Sequence, residues 1–255
     1  MNTFSDSVST ALSLIASFDP LLGSILLRSL AVSACACLLA CSAGLVLGAW
    51  LGVARFRGRD AVLTLLNTLL ALPSVVVGLV VYLLLSRSGP LGFLGWLFSF
   101  NAMVLAQTLL VLPVVTALVR QTIEDADRLH GEQFQSLGAS GGTRSLLLLW
   151  DERYTLLTVL IAAFGRAISE VGAVMVVGGN IDGFTRVMTT AIALETSKGD
   201  LPLALALGLL LLAVVLLLNV LIALVRRWRE RMDEDLPPGA APQLAPQQHQ
   251  RGTGP

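Results

Sequence analysis

Long stretches without a single charge constrain this chain more than any other feature. No Asp, Glu, Lys or Arg occurs over residues 29–54, 61–86, 88–119 or 201–225. A fifth stretch, residues 154–181, is broken only by Arg166 and Glu170. A helix needs ~20 mostly apolar residues to cross a hydrocarbon core ~30 Å thick. Lipid offers the backbone no hydrogen-bond partners, so stretches of this kind must be helical. The expected fold is an all-α integral membrane protein with five transmembrane helices. Composition agrees, at 55% hydrophobic and 13% charged residues. Those values exclude an ordinary soluble enzyme and a disordered chain. Lys and Arg balance Asp and Glu at 17 each, so nucleic-acid binding has no electrostatic support.

The position of the cations sets the expected orientation. Arg55, Arg57 and Arg59 follow the first span; Arg120, Arg128, Arg144 and Arg153 lie between the third and fourth; Arg226, Arg227, Arg229, Arg231 and Arg251 follow the fifth. The opposite connections carry only Arg87, Arg186 and Lys198. The positive-inside rule places the richer side in the cytoplasm, with the N-terminus outside and the C-terminus inside. No basic residue precedes Arg28, so the N-terminus lacks the basic region of a signal peptide. Phe4, Val8, Ala11, Leu12, Ile15 and Phe18 recur near helical spacing, which suggests an extracytoplasmic amphipathic helix over residues 1–20, ended at Asp19-Pro20. A transmembrane domain is expected over 21–228. The Pro-, Gln- and Gly-rich tail, 229–255, has too few large apolar residues to build a core and is expected to be disordered.

Within the spans, small residues and prolines punctuate the pattern. Gly44, Gly48 and Gly52 repeat at intervals of four in span one, which permits close helix approach. Pro73 and Pro113 each remove a backbone donor and permit a kink, useful in a gate but also frequent in static bundles. Residues 88–96 are too Gly-rich for a regular helix. Cys35, Cys37 and Cys41 lie within span one without histidines nearby, and are taken as packing residues, not metal ligands.

Three segments carry chemical content. The connection 120–153 is far longer than the usual loop between helices. In it Glu132 is expected to begin a short helix, Phe134 and Leu137 to form an apolar edge, and Gly138, followed by Ala139, to supply a left-handed stop. That arrangement suits a docking knob for a soluble partner; a plain solvated connector is the alternative. In span four, Arg166 and Glu170 stand four apart, flanking Ser169, where each charge costs ~2.5–3.5 kcal/mol to insert. They are expected to pair, either lining a pathway or gate or fixing helix packing. After span four, the turn at Asn180 leads to a short helix expected over 184–197, with Thr189 and Thr190 among its hydroxyls. Its place is the outer mouth, with neutral donors for a solute, or a simple external connector.

Neither a phosphate-binding G-x₄-G-K-[ST] loop nor an H-E-x-x-H zinc motif occurs. The chain is therefore expected to be non-enzymatic, with no catalytic, cofactor or metal residues of its own. If ATP drives it, a separate subunit must bind the ATP and Mg.

The connection around Glu132 and Gly138, six apart, resembles the coupling loop of ABC importer permeases, with Gln133 and Phe134 standing where the family usually has two alanines. The segments 67–78, 85–92, 165–180 and 189–200 resemble tungstate-type ABC permeases, and the similarity spans roughly residues 21–227. That resemblance implies a type I importer fold and a permease homodimer in the bacterial inner membrane. It also implies two cytoplasmic ABC ATPase subunits and an extracytoplasmic substrate-binding protein that delivers the oxyanion. Molybdate or sulfate transport by the same machine, or an ion-gradient-driven secondary transporter, are the competing expectations.

Overall fold

The computed structural model describes residues 3–17 and 20–234, all in helices and their connections. Among these residues ten α-helices follow in order: α1 (Thr3–Ala16), α2 (Pro20–Val53), α3 (Arg59–Leu70), α4 (Ser74–Leu85), α5 (Phe100–Ser136), α6 (Gly141–Asp151), α7 (Arg153–Ile168), α8 (Gly172–Gly178), α9 (Met188–Lys198) and α10 (Leu201–Glu234). A single 3₁₀ turn, Gly92–Leu94, sits in the Gly-rich segment before α5.

Three helices are long and apolar enough to cross a membrane unaided: α2, α5 and the Leu201–Trp228 part of α10. The stretches 61–86 and 154–181 are not single helices. α3 meets α4 at 98°, and α7 meets α8 at 55°. Three continuous helices and two broken pairs supply the five expected crossings when each pair counts as one span. The first break has a local cause: Pro73 has no N–H to donate and pushes Leu72 out of the helical region. Pro73 itself precedes α4 in an extended conformation, at φ −62° and ψ 130°. α5, in contrast, continues through Pro113.

The centre is the α2–α5 pair. A Cβ added to Gly44 would lie 2.7 Å from Val115 Cγ1, one on Gly48 2.7 Å from Val119 Cβ, and one on Gly52 2.9 Å from Ile123 Cγ2. Each step of four along α2 meets a step of four along α5 in the same direction, so the two helices are parallel. Parallel neighbours force the chain to travel back the length of the bundle between them. The bent α3–α4 pair makes that return. Because lipid is as apolar as leucine, close van der Waals contact rather than water exclusion holds this pair.

Around it, Leu148 of α6 and Ala163 and Ala167 of α7 pack on Val115, Val119 and Ile123. Val81 and Leu85 of α4 pack with Met103 of α5 and Val174 and Val177 of α8. α1 is packed on the bundle, with Ala11 buried beside Ile25, Met188 and Leu207. Phe18 and Asp19, expected to end α1, lie outside the described residues. α10 runs past the expected boundary at 228, and residues 235–255 of the tail also lie outside the described residues.

Candidate functional site

The connection 120–153 is an elbow between two helices. α5 leaves the apolar region near Val119 and continues unbroken to Ser136, so Glu132 stands near the end of a long helix and begins no new one. The stop at Gly138 is present, at φ +78°. Ala139 N donates to Phe134 O at 3.0 Å and Gly138 N to Gln135 O at 3.0 Å, the paired bonds of a Schellman ending. Ser140 then caps α6, accepting from Thr143 N at 3.3 Å. Phe134 turns inward onto the central core. The exposed apolar residues of the elbow are instead Leu137, 82% exposed, and Leu146 and Trp150 of α6. Ion pairs stiffen the elbow. Arg144 Nε lies 2.9 Å from Asp127 Oδ1 and ties α6 to α5. Glu124 gathers Arg59 at 2.9 Å, Arg128 at 3.2 Å, Arg55 at 4.0 Å and Arg120.

At the second break, α7 ends and Glu170 lies beyond it. Arg166 Nη1 still reaches Glu170 Oε2 at 3.2 Å, so the pair forms, but Glu170 is buried while 55% of the Arg166 side chain is exposed. The second carboxylate oxygen, Oε1, accepts from Ala173 N at 3.3 Å, at the first turn of α8. Glu170 therefore serves both as counter-charge and as acceptor for an otherwise unpaired N–H of the broken helix. Ser169 is exposed and its hydroxyl donates back to Gly165 O at 2.9 Å. The two broken pairs meet here. A Cβ on Gly78 of α4 would lie 2.7 Å from Ala173 Cα, and one on Gly172 of α8 would lie 2.7 Å from Ser74 Oγ.

Polar side chains from other helices converge on this break. Thr189 Oγ1 donates to Glu170 O at 2.8 Å. Gln107 of α5 donates Nε2 to Ala167 O at 3.0 Å, and its Oε1 is buried without a partner. Ser29 of α2 accepts from Met188 N at 2.7 Å. Sequence reasoning passed over Gln107 and Ser29. A carboxamide in the middle of an apolar run was the available signal for Gln107; Ser29, at the edge of its run, offered none. The free volume beside Gln107, Glu170 and Thr189 is about 10 Å³, room for one water.

The connection from α8 to α9 uses its polar groups internally. Asn180 is left-handed at φ +51° and donates Nδ2 to Thr190 O at 3.2 Å. Thr190 Oγ1 accepts from Val187 N at 3.1 Å, which starts α9 at Met188, four residues later than expected. Thr185 bonds Gly178 O, and Arg28 Nη2 donates to Gly183 O at 2.8 Å. Thr189 and Thr190 are both buried: Thr189 ties α9 to the break, whereas Thr190 caps α9 and accepts Asn180 at its carbonyl.

The geometry is a parallel helix pair flanked by two broken ones, with a braced elbow at one end. Comparison with known proteins matches the sequence to a known family. Residues 44–231 match the model for the inner membrane component of binding-protein-dependent transport systems. A tungstate uptake system permease protein of Peptoclostridium acidaminophilum is 39% identical over 226 residues, covering 87% of this chain and 97% of that protein. A probable anion ABC transporter permease of Haloferax volcanii is 43% identical over 208 residues, covering 80% and 88%. A tungstate uptake permease of Campylobacter jejuni is 38% identical over 172 residues, covering 68% and 72%. A helical membrane chain with these breaks, this elbow and this span of similarity belongs to the family of inner membrane components of binding-protein-dependent transport systems.

Proposed function

We propose that two copies of this chain form the membrane pathway of an ATP-driven tungstate importer, with separate cytoplasmic ATPases and an external binding protein. The observation that carries the reading is the elbow at Gly138. It is a braced, apolar-edged projection, on a chain without a phosphate-binding loop, in a protein similar over most of its length to tungstate permeases. The elbow lies at the arginine-rich end, which the positive-inside rule places in the cytoplasm, with the N-terminus outside and the C-terminus inside. There it takes up motion from an ATPase and passes it along α5 to the break at Glu170. ATP and Mg are bound by that partner, and this chain holds no cofactor.

The polar cluster at Glu170 leaves room for no more than one water. That supports a solute path formed where two copies face each other, with Arg166, Ser169 and Glu170 positioned to respond as the broken pairs shift. Asn180, Thr189 and Thr190 hold the outer segment to the same break.

Uptake by cells carrying this chain with its partner subunits, measured by elemental analysis of tungsten, tests the reading. Excess molybdate or sulfate serves as competitor. Tungstate should accumulate, should resist sulfate, and should fail to accumulate when the ATPase subunits are catalytically dead. Accumulation that survives the dead ATPase overturns the pumped mechanism. Displacement by equimolar sulfate overturns the tungstate assignment.

A further inference from the structure

The inner side of the 98° bend between α3 and α4 encloses a groove of about 470 Å³ against α2 and α5. Its walls are aliphatic and aromatic, including Leu47 and Trp50 of α2, Leu65 of α3, Val80 of α4 and Leu109 of α5. Thr116 brings the one hydroxyl on the lining, and that hydroxyl already donates to Leu112 O at 2.8 Å. An oxyanion would find no donor here, so the groove is unsuited to cargo.

One end of the groove opens at the Glu124 cluster. Arg59 donates to the carbonyl of Leu51, a groove residue, at 3.3 Å and to Glu124 at 2.9 Å. Thr116 stands one helical turn before Arg120. Four arginines therefore share one carboxylate, with Arg57 and Asp60 adding one charge of each sign nearby. Arg55 is the least engaged: it comes only to 4.0 Å from Glu124 and its side chain is 58% exposed. Trp50 stacks on Phe56 at 5.2 Å beside it, an aromatic pair suited to headgroup level.

We propose that this groove binds an anionic glycerophospholipid, with an acyl chain along the α3–α4 trough and the phosphate at Arg55. A net-positive rim above an apolar trough complements that molecule at both ends. A second copy of the chain would instead bring the same positive rim against this one. The groove stands apart from the cargo assignment, while its headgroup end borders the elbow, where Arg55 faces Gln135, Ala139 and Arg144 across a cleft.

The full-length protein, reconstituted in mixed phosphatidylglycerol and phosphatidylcholine and re-extracted, should retain phosphatidylglycerol enriched about fivefold over the mixture, the scale of one basic contact. Arg55→Gln and the groove-filling Leu65→Trp should each return retained lipid to the mixture ratio. A photoreactive benzoylphenylalanine in place of Trp50, an aromatic wall residue of similar size, should gain the mass of one phosphatidylglycerol on irradiation, a readout that depends on neither substitution folding well. Retained lipid that matches the mixture overturns the proposal. So does enrichment that survives Leu65→Trp, or a photoproduct joining two copies of the chain.

Discussion

Gly138 is held at φ +78° with nothing within 4 Å of where a Cβ would sit, so its requirement is conformational rather than spatial. A larger L-residue there incurs about 1–2 kcal/mol of left-handed strain. Gly138→Leu should leave the protein inserted but release the Schellman ending. ATP hydrolysis by the assembled transporter should then lose its stimulation by loaded binding protein, and tungstate uptake should fall about tenfold or more. Normal uptake by that variant would remove the elbow from the coupling mechanism. Glu170 makes a second residue-scale test. Arg166→Leu leaves a buried carboxylate without its counter-charge, whereas Arg166→Leu combined with Glu170→Gln removes the charge and keeps an acceptor for Ala173 N. An unpaired buried charge is costly, and the partial exposure of Arg166 reduces the expected loss to about 1–2 kcal/mol. The double variant should therefore unfold at a higher temperature in detergent than the Arg166→Leu single. Additive losses would argue against the pair.

Among the elements, the α2–α5 pair bears the packing. Gly48 lies with a would-be Cβ 2.8 Å from Thr116 O as well as close to Val119, and neither the backbone nor a β-branched side chain yields easily. Gly48→Val should separate the helices at an overpacking cost of about 1–3 kcal/mol, read as a lowered midpoint of thermal unfolding in detergent. A variant as stable as the parent would show that the helices part without penalty. Gly44, Gly48 and Gly52 announced this contact through their spacing, since only small residues let backbones approach. Pro73 announced a departure from helix but not its size. A missing donor permits a kink, and the 98° angle depends on what α4 then packs against, through Gly78 and Ala173.

At the scale of the molecule, α2 and α5 run parallel and α3–α4 return between them, so the two ends of the bundle are chemically distinct. One end carries Glu124 with its arginines and the elbow. The other carries Arg28, Asn180 and the start of α9. The functional reading treats the whole as a lever between these ends. With ATPase-dead partners the lever has no input, which is why that arm of the uptake measurement tests the whole assembly rather than one contact.

Hydropathy and charge spacing were sufficient to establish an all-helical membrane chain, the close α2 face, the left-handed stop at Gly138 and the Arg166–Glu170 pair. Each of these is local: it depends on residues a few positions apart on one helix, or on the demand of lipid for a satisfied backbone. Where the helices break, which way Phe134 turns, and that Glu170 caps α8 were decided by packing between distant segments. So was the convergence of Gln107, Ser29 and Thr189 on one break, because a polar side chain in an apolar run can satisfy itself on any neighbour, and only the tertiary structure selects which.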